Sequence, residues 1–174
     1  GRAIGLSYFK ERGFTDETIA KFELGYSPDG RDIFTQEALK QGYKQEFLER
    51  TGLTVSGETN SGQTYVADRF RGRVMFPIHN LSGSVIGFGG RIVGNDPEKK
   101  LAKYLNSPES ELYNKSKTLY GIYFARTEIT KKDECILVEG YTDVMSMHQS
   151  GITNVVASSG TSLTLEQIQL IKRF

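Results

Sequence analysis

The sequence predicts an α+β fold in which a mixed α/β N-terminal subdomain, residues 1–130, precedes an incomplete β-α-β-α parallel unit, residues 131–174. Three observations lead to this prediction. Short helical patterns fill the first fifty residues, two apolar runs with a brief polar connection follow, and strand and helix patterns then alternate as far as Phe174. A brief connection indicates an antiparallel hairpin, whereas regular alternation of strands and helices indicates a parallel sheet.

Four short helices are predicted in the first fifty residues. The first covers residues 4–12 and ends at Gly13, because glycine readily adopts the left-handed backbone that follows many helices. Thr15 begins the second helix, since a Thr hydroxyl accepts a hydrogen bond from a free N–H group of the first turn. Two further helices and one polar loop are predicted over residues 32–40, 45–51 and 56–62, respectively.

Two apolar runs, residues 74–78 and 85–88, predict strands that residues 80–83 join into a hairpin. Pro77 lacks a backbone N–H group, so its strand is predicted to lie at a sheet edge or to carry a bulge. The glycines within residues 87–91 predict close approach of a ligand or of a neighbouring strand. They are a weak dinucleotide fingerprint, because no helical pattern follows them.

The segment after the hairpin is polar and basic. From Arg69 to Lys117 the sequence contains nine basic and four acidic residues. Residues 95–117 are predicted to be largely irregular and residues 119–127 to form a helix. A basic surface suits a polyanionic partner better than a membrane, because no amphipathic basic helix accompanies it. A solvated charged face without a partner is the alternative.

The C-terminal unit begins with a continuous apolar run, residues 135–138, which predicts a strand covered on both faces. Gly140 allows a tight turn, and residues 142–149 predict the first helix of the unit. A second strand over residues 155–157 and a second helix from Leu165 complete the pattern, and Thr164 and Gln167 have the spacing of a capping box at the start of that helix.

Two acids stand where the first strand of this unit ends. Glu139 follows the strand directly, and Asp143 lies about one helical turn further on. Ligands of open α/β sheets bind at the carboxyl ends of the strands, and hard cations such as Mg²⁺ prefer carboxylate and water oxygens. The pair therefore predicts a divalent-metal site. The alternative is structural: Glu139 caps the turn, and Asp143 is an ordinary first-turn acid stabilised by the helix dipole.

Composition excludes several classes of protein. No apolar run approaches the roughly 18 residues that a membrane-spanning helix needs, so no membrane association is predicted and a cytoplasmic location is the default. Cys135 is the only cysteine, which excludes an internal disulfide and a cysteine-based zinc site. It is predicted to lie in the core.

The chain resembles the catalytic core of bacterial DNA primases, the RNA polymerases that start primers at replication forks. The resemblance rests on six stretches that occur in the order of the family, over residues 68–78, 87–91, 103–109, 119–121, 139–143 and 157–161. The Glu-Gly-Tyr-x-Asp stretch alone indicates the wider Toprim group, which includes topoisomerases and some nucleases. The arginine-rich and glycine-rich stretches narrow the resemblance to primase.

The resemblance implies a role for seven residues. Glu139 and Asp143 belong to the acidic cluster that binds Mg²⁺ or Mn²⁺ for nucleotidyl transfer. Residues on a basic surface would handle the single-stranded DNA template and ribonucleoside triphosphates: Arg91, Lys103, Tyr104, Asn106 and Lys115. Tyr104 is a candidate platform for stacked bases, with core packing as the alternative. Residues 69, 71 and 73 are arginines predicted to share one face of a strand, facing nucleic acid or water.

The sequence also departs from the family. The Asp-x-Asp motif that follows the next strand of a Toprim domain is absent, as are a zinc-binding domain and the region that binds the replicative helicase. The metal site is therefore expected to be incomplete, and residues 1–174 alone are expected not to make primers. Two alternatives remain: a nucleic-acid-binding module without catalysis, and another Toprim enzyme, either a nuclease or a topoisomerase.

Overall fold

The computed structural model describes residues 2–94, 102–160 and 162–174. Helices and strands occur in this order: α1 (Arg2–Glu11), α2 (Asp16–Lys21), β1 (Gly25–Ser27), α3 (Ile33–Lys40), α4 (Gln45–Arg50), β2 (Thr54–Glu58), β3 (Thr64–Asp68), β4 (Arg73–His79), β5 (Val85–Ile92), β6 (Tyr104–Asn106), α5 (Ile122–Lys132), β7 (Ile136–Val138), α6 (Tyr141–Gln149), β8 (Val155–Ala157) and α7 (Leu165–Ile171). A 3-10 helix, Lys115–Lys117, precedes α5. Within the described ranges, no helix combines the length and the apolar character that crossing a membrane requires.

The four N-terminal helices are confirmed. Gly13 follows α1 with a φ of 82°, the left-handed conformation that glycine adopts without strain. The hydroxyl of Thr15 accepts a hydrogen bond of 3.2 Å from the backbone N–H group of Thr18, so α2 begins with the predicted cap. Both α3 and α4 lie within one residue of their predicted bounds.

An antiparallel sheet with the strand order β1-β4-β5-β6 contains the predicted hairpin. β4 lies between two neighbours, so the prediction that Pro77 marks an edge strand is wrong. β1 pairs with β4 only as far as Met75, which leaves Pro77 with one partner strand. The register also shifts between Ile78 and His79, so the alternative prediction of a bulge is confirmed.

The polar loop predicted over residues 56–62 is partly wrong. Residues 54–58 form β2, which pairs with β3 in a second antiparallel hairpin, and only residues 59–63 form the turn. The strand was not predicted because most of the residues of β2 are polar or glycine, and its exposed residues alternate with more buried ones. A two-stranded hairpin needs few apolar residues on its outer side.

Part of the segment predicted to be irregular is ordered. β6 and the 3-10 helix both lie within residues 95–117. Residues 95–101, which include Lys99 and Lys100, lie outside the described residues, as does Thr161.

The parallel unit is confirmed. β7 and β8 pair in parallel, α6 follows β7, and α7 begins at the predicted capping box of Thr164 and Gln167. The prediction that β7 is covered on both faces is wrong, because Leu137 is 43% exposed, whereas all three residues of β8 are buried. The helices α5 and α6 pack mainly on β8. Cys135 is half-buried beside the smaller apolar cluster, and burial raises the pKa of its thiol to about 11.

The main core joins both parts of the chain. It contains rings from the first two helices and from β4, together with residues of α6 and β8: Phe9, Phe14, Phe22, Val74, Phe76, Ile78, Tyr113, Tyr120, Tyr141, Val144, Met145, Val155 and Ala157. The end of α6 is also attached to the N-terminal region. The side chain of Gln149 accepts hydrogen bonds of 2.9 Å from the N–H group of Thr15 and the hydroxyl of Thr18, and donates one of 2.8 Å to the carbonyl of Gly13. The domain boundary at residue 130 stays a prediction.

Aromatic rings pack directly against the three glycines of β5. A methyl group added at one of these glycines would lie only 2.4 to 3.1 Å from the nearest ring atom. The pairs are Gly87 with Tyr113, Gly89 with Tyr141, and Gly90 with Phe70. The predicted close approach is therefore made by side chains of this chain.

Candidate nucleic-acid interface and acidic loop

The two predicted metal ligands lie on either side of the start of α6. Glu139 is exposed and directly follows β7, and Asp143 is exposed in the first turn of the helix. We call Glu139 and Gly140 the acidic loop. The carboxylate of Asp143 accepts a hydrogen bond of 3.0 Å from the N–H group of Gly140. Asp143 thus performs the structural capping that the alternative interpretation assigned to Glu139.

The acids present are compatible with a water-rich Mg²⁺ site. One oxygen of Asp143 holds the acidic loop, and the structure gives Glu139 no competing ion pair among the described residues. Mg²⁺ is usually bound by one or two carboxylates, several waters and substrate phosphates. Within residues 2–94, 102–160 and 162–174, however, no group of three or more His, Cys, Asp or Glu side chains is arranged to hold a metal.

Arg91 lies close to two aromatic rings. It pairs with Tyr104 across β5 and β6, and its guanidinium carbon is 5.4 Å from the centroid of the Tyr104 ring. On α1, the ring of Tyr8 is 5.6 Å from the same carbon. Distances below about 6 Å permit cation–π attraction. The Tyr104 side chain remains 44% exposed, which does not fit the alternative that it packs in the core.

The sequence did not single out the contribution of α1. The guanidinium carbon of Arg12 lies 4.7 Å from the centroid of the Tyr8 ring, and we call Tyr8, Arg12, Arg91 and Tyr104 the aromatic–arginine cluster. Burial raises the pKa of the Tyr8 hydroxyl, although the positive charges of Arg91 and Arg12 act to lower it. The spacing of residues 8 and 12 places them on one helix face, but no pattern linked that face to β5.

Asn106 contacts the C-terminal unit directly. It pairs with Gly89 across β5 and β6, and its side-chain oxygen accepts a hydrogen bond of 2.7 Å from the hydroxyl of Tyr141. Tyr141 is the residue after the acidic loop. This contact was not predicted, because Asn106 was assigned to the nucleic-acid surface and Tyr141 received no role.

Arg73 anchors the strand that carries Tyr104. It is 4% exposed and donates hydrogen bonds to the carbonyls of Ala102, Lys103 and Gly90. Burial lowers the pKa of its guanidinium. Lys103 thereby has a fixed backbone and an exposed side chain.

The prediction that the arginines at positions 69, 71 and 73 share one strand face is wrong. Arg69 follows β3 and donates to the carbonyl of Asn106 at 3.3 Å. Arg71 is exposed between the strands, and only Arg73 belongs to β4. The reason is that β3 and β4 are separated by a turn through the arginine-rich stretch.

Lys115 lies in a different neighbourhood. Its backbone N–H group donates to the carboxylate of Glu109 at 2.9 Å, and its carbonyl accepts from the Gln167 side chain at 3.1 Å. These contacts attach the 3-10 helix to α7. Neither partner belongs to the aromatic–arginine cluster, so the described contacts do not bring Lys115 to Arg91.

Comparison with models of protein families shows the family to which the chain belongs. The model described as the DNA primase catalytic core, N-terminal domain, matches residues 2–126, which is more than half of the sequence. The chain belongs to the DNA primase catalytic-core family. A second model, described as the Toprim domain, matches residues 133–174 of this primase core. The resemblance inferred from the six sequence stretches is therefore confirmed.

Curated DNA primases are similar to nearly all of this primase core. The DNA primase of Deinococcus radiodurans is 47% identical over 168 residues, which are 97% of this chain and 28% of that protein. The DNA primase of Halalkalibacterium halodurans is 45% identical over 169 residues, which are 97% of this chain and 27% of that protein. The chain thus spans about a quarter of the length of these relatives.

Solved structures confirm the fold of this primase core. The RNA polymerase domain of Mycobacterium tuberculosis primase DnaG is 39% identical with a TM-score of 0.87, and the match covers 98% of this chain and 53% of that domain. A DnaG primase catalytic domain bound to single-stranded DNA is 40% identical with a TM-score of 0.83, covering 98% of this chain and 52% of that one. The chain spans about half of each solved domain.

Proposed function

We propose that this chain is the part of a primase core that holds the single-stranded DNA template and supplies two acids to metal-dependent nucleotidyl transfer. The reaction would join ribonucleoside triphosphates into short RNA primers during replication. One observation carries the proposal: the strand that bears Tyr104 is hydrogen-bonded, through Asn106 and Tyr141, to the residue that follows the acidic loop. The hydrogen bond between Asn106 and Tyr141 therefore connects the strand of the candidate template surface to the segment that carries the candidate acids.

The aromatic–arginine cluster suits a single strand of nucleic acid. Proteins hold single strands by a positive groove along the backbone and by aromatic side chains on which bases stack. Arg91 is kept in place by the rings of Tyr8 and Tyr104, so binding would cost less side-chain entropy than for a free arginine. Lys103 adds an exposed positive charge beside Tyr104.

The acids would serve the chemical step. When bound, Mg²⁺ or Mn²⁺ neutralises triphosphate charge and aligns the attacking and leaving oxygens. Glu139 would be a direct ligand, because it is exposed at the carboxyl end of β7. Asp143 would combine a second ligand oxygen with the hydrogen bond that fixes Gly140. The triphosphates and a replicative helicase remain proposed partners of the whole protein.

The experiment that tests this proposal separates binding from synthesis. In the full-length protein, Glu139→Gln is expected to abolish template-dependent RNA synthesis, because an amide is a poor ligand for a hard cation. The affinity for single-stranded DNA, measured by fluorescence anisotropy, is expected to stay within about twofold, since an acidic side chain makes no attractive contact with phosphate. Undiminished synthesis by the variant would remove Glu139 from the metal site.

A second candidate function is single-strand binding without catalysis by these residues. The observation that favours it is the lack of a three-acid group in the described part of the chain. In that case the wild-type full-length protein would bind single-stranded DNA and make no RNA at any Mg²⁺ or Mn²⁺ concentration. Cleaved strands in place of new RNA would instead indicate a Toprim nuclease.

A further inference from the structure

Tyr141 occupies an unusual position for a residue beside an exposed acidic loop. It is the first residue of α6, directly after Gly140, yet it is only 4% exposed. Its ring stacks on Phe76 of β4, with centroids 5.1 Å apart and planes inclined by 14°. It also meets the ring of Tyr120 edge-on at 4.6 Å. The residue next to the acidic loop is thus embedded in the core of the N-terminal part.

The Tyr141 ring enters a slot that glycine leaves open. A methyl group at Gly89 would lie 2.4 Å from the ring, a separation that real carbon atoms do not tolerate. Gly89 is the cross-strand partner of Asn106. The same slot therefore brings the Tyr141 hydroxyl to the Asn106 side-chain oxygen, at 2.7 Å.

The hydrogen bond from Tyr141 to Asn106 is independent of the packing of the Tyr141 ring. Phenylalanine would fill the slot and stack on Phe76 equally well, because these contacts use only the ring. The hydroxyl alone reaches β6, where Tyr104 is two residues away from its acceptor. A tyrosine hydroxyl ordinarily has a pKa of about 10, so at neutral pH the group is protonated and able to donate to Asn106.

The acidic loop is held at its Gly140 end. The carboxylate of Asp143 accepts a hydrogen bond from the N–H group of Gly140, and Tyr141, the next residue, is hydrogen-bonded to β6. A displacement of β6 along its axis would therefore be transmitted to Gly140 and to the neighbouring Glu139. Asn106 has one further polar connection, because its backbone carbonyl accepts from Arg69 at 3.3 Å.

We propose that Tyr141 is a positioning residue, whose hydrogen bond to Asn106 sets the place of the acidic loop relative to the strand that carries Tyr104. The inference rests on the proposed function and deepens it. Three stretches of sequence that are distant along the chain meet here: the glycine-rich β5, the β6 strand and the Glu-Gly-Tyr-x-Asp segment. The tyrosine of that segment links the candidate template surface to the candidate acids.

The test is Tyr141→Phe in the full-length protein, with Tyr113→Phe as the matched control. Tyr113 is also buried, and its ring lies against Gly87 of the same strand, so the control removes a buried hydroxyl near the same site and leaves the hydrogen bond between Tyr141 and Asn106 in place. Tyr141→Phe is expected to lower kcat for primer synthesis by about tenfold, the size of effect expected when alignment at a reacting centre is loosened. KM for the triphosphates and the affinity for single-stranded DNA are expected to change less than about twofold. Tyr113→Phe is expected to leave kcat within twofold.

Two further measurements distinguish positioning from stability. Hydrogen exchange of the Gly140 amide is expected to be faster in Tyr141→Phe, while the amides of β4 and β5 keep their wild-type protection. In an Asn106→Ala background, the second change Tyr141→Phe is expected to lower kcat by less than it does in the wild type, because both variants remove the hydrogen bond between the two side chains.

Each outcome bears on the inference. An unchanged kcat in Tyr141→Phe overturns it, as does faster exchange spread evenly over the whole chain, which would indicate general destabilisation. Additive losses in the double variant also overturn it. If the wild-type protein makes no RNA, the proposed function fails, but the link between β6 and the loop can still be tested by hydrogen exchange. Binding of single-stranded DNA should then protect the Gly140 amide less in Tyr141→Phe than in the wild type. Equal protection in the two proteins would refute the link.

Discussion

Arg91 and Tyr104 face each other across β5 and β6, with the guanidinium carbon 5.4 Å from the ring centroid. The centroid of the Tyr8 ring lies 5.6 Å from the same guanidinium carbon. An arginine held by two rings keeps its N–H groups in a fixed direction, which favours contact with phosphate over a random surface charge. This arrangement leads to the first two predictions.

Arg91→Ala is expected to weaken binding of single-stranded DNA by a similar factor for all base sequences, because a phosphate contact carries no sequence information. The slope of log K against log salt is expected to fall by about one unit, the change for one phosphate contact. Anisotropy titrations between low and moderate salt measure both quantities. Lys40→Ala is the control, since Lys40 is exposed at the end of α3. An unchanged slope in Arg91→Ala would leave the arginine as part of a solvated face.

Tyr104→Ala is expected to reduce the affinity for single-stranded DNA by about 1–3 kcal/mol, the usual contribution of one stacked base. Tyr104→Phe is expected to keep most of the affinity, because stacking uses the ring. Urea unfolding of both variants should give nearly wild-type stability, since the side chain is 44% exposed. If Tyr104→Ala lowered stability and left affinity unchanged, the ring would have a packing role.

Gly89→Ala is expected to destabilise the fold by about 1–3 kcal/mol, the usual cost of overpacking. The added methyl group would lie 2.4 Å from the Tyr141 ring. Gly25→Ala in β1 is the control, because the nearest atom to its added methyl group is 4.0 Å away. Urea unfolding followed by circular dichroism measures the difference. Equal stability of the two variants would mean that the ring moves freely out of the slot.

The stability of the fold is expected to fall at acidic pH partly through His148. Burial, with a smaller effect from Lys21, lowers the pKa of this imidazole to about 4, and its Nδ1 lies 3.3 Å from the Lys21 amine. The unfolded chain, with a pKa near the usual value of about 6.5, binds the proton more readily. The contribution to stability is therefore complete above pH 6.5 and is lost as the pH falls towards 4.

The measurement for His148 is a comparison with His148→Gln, which cannot titrate. The difference in unfolding free energy between wild type and variant is expected to change by about 2 kcal/mol between pH 7 and pH 4, to the disadvantage of the wild type. Parallel curves for the two proteins over this range would show that His148 titrates normally in the fold.

Local signals in the sequence predicted much of the fold. Thr15 and the Thr164–Gln167 pair cap helices through contacts within four residues, so their patterns are complete in a short window. β2 was missed because its exposed polar residues resemble a loop until β3 is paired with it. The family resemblance added what local patterns could not, namely the prediction that Arg91 and Lys103 belong to one surface, which stays a prediction.

Contacts between distant segments could not be predicted. Tyr8 reaches Arg91 across 83 residues of sequence, and Tyr141 reaches Asn106 from a helix that shares no periodic pattern with β6. Both depend on how α1 and α6 pack against the sheet, which is decided by the shape of the shared core. The sequence shows a glycine at position 89 and predicts close approach there, but only the structure shows that the ring of Tyr141 makes the approach.

The shared core has a consequence for chimeric proteins. Residues of α6 share one apolar core with Phe9, Phe14 and Phe22, and Gln149 is hydrogen-bonded to residues beside the first two helices. Exchange of the parallel unit alone for that of a distant relative is therefore expected to disturb this core. The α6 helix of a transplanted unit would pack against α1 and α2 side chains that fit the original α6. Successful exchange is therefore expected to require that α1, α2 and α6 be transferred together.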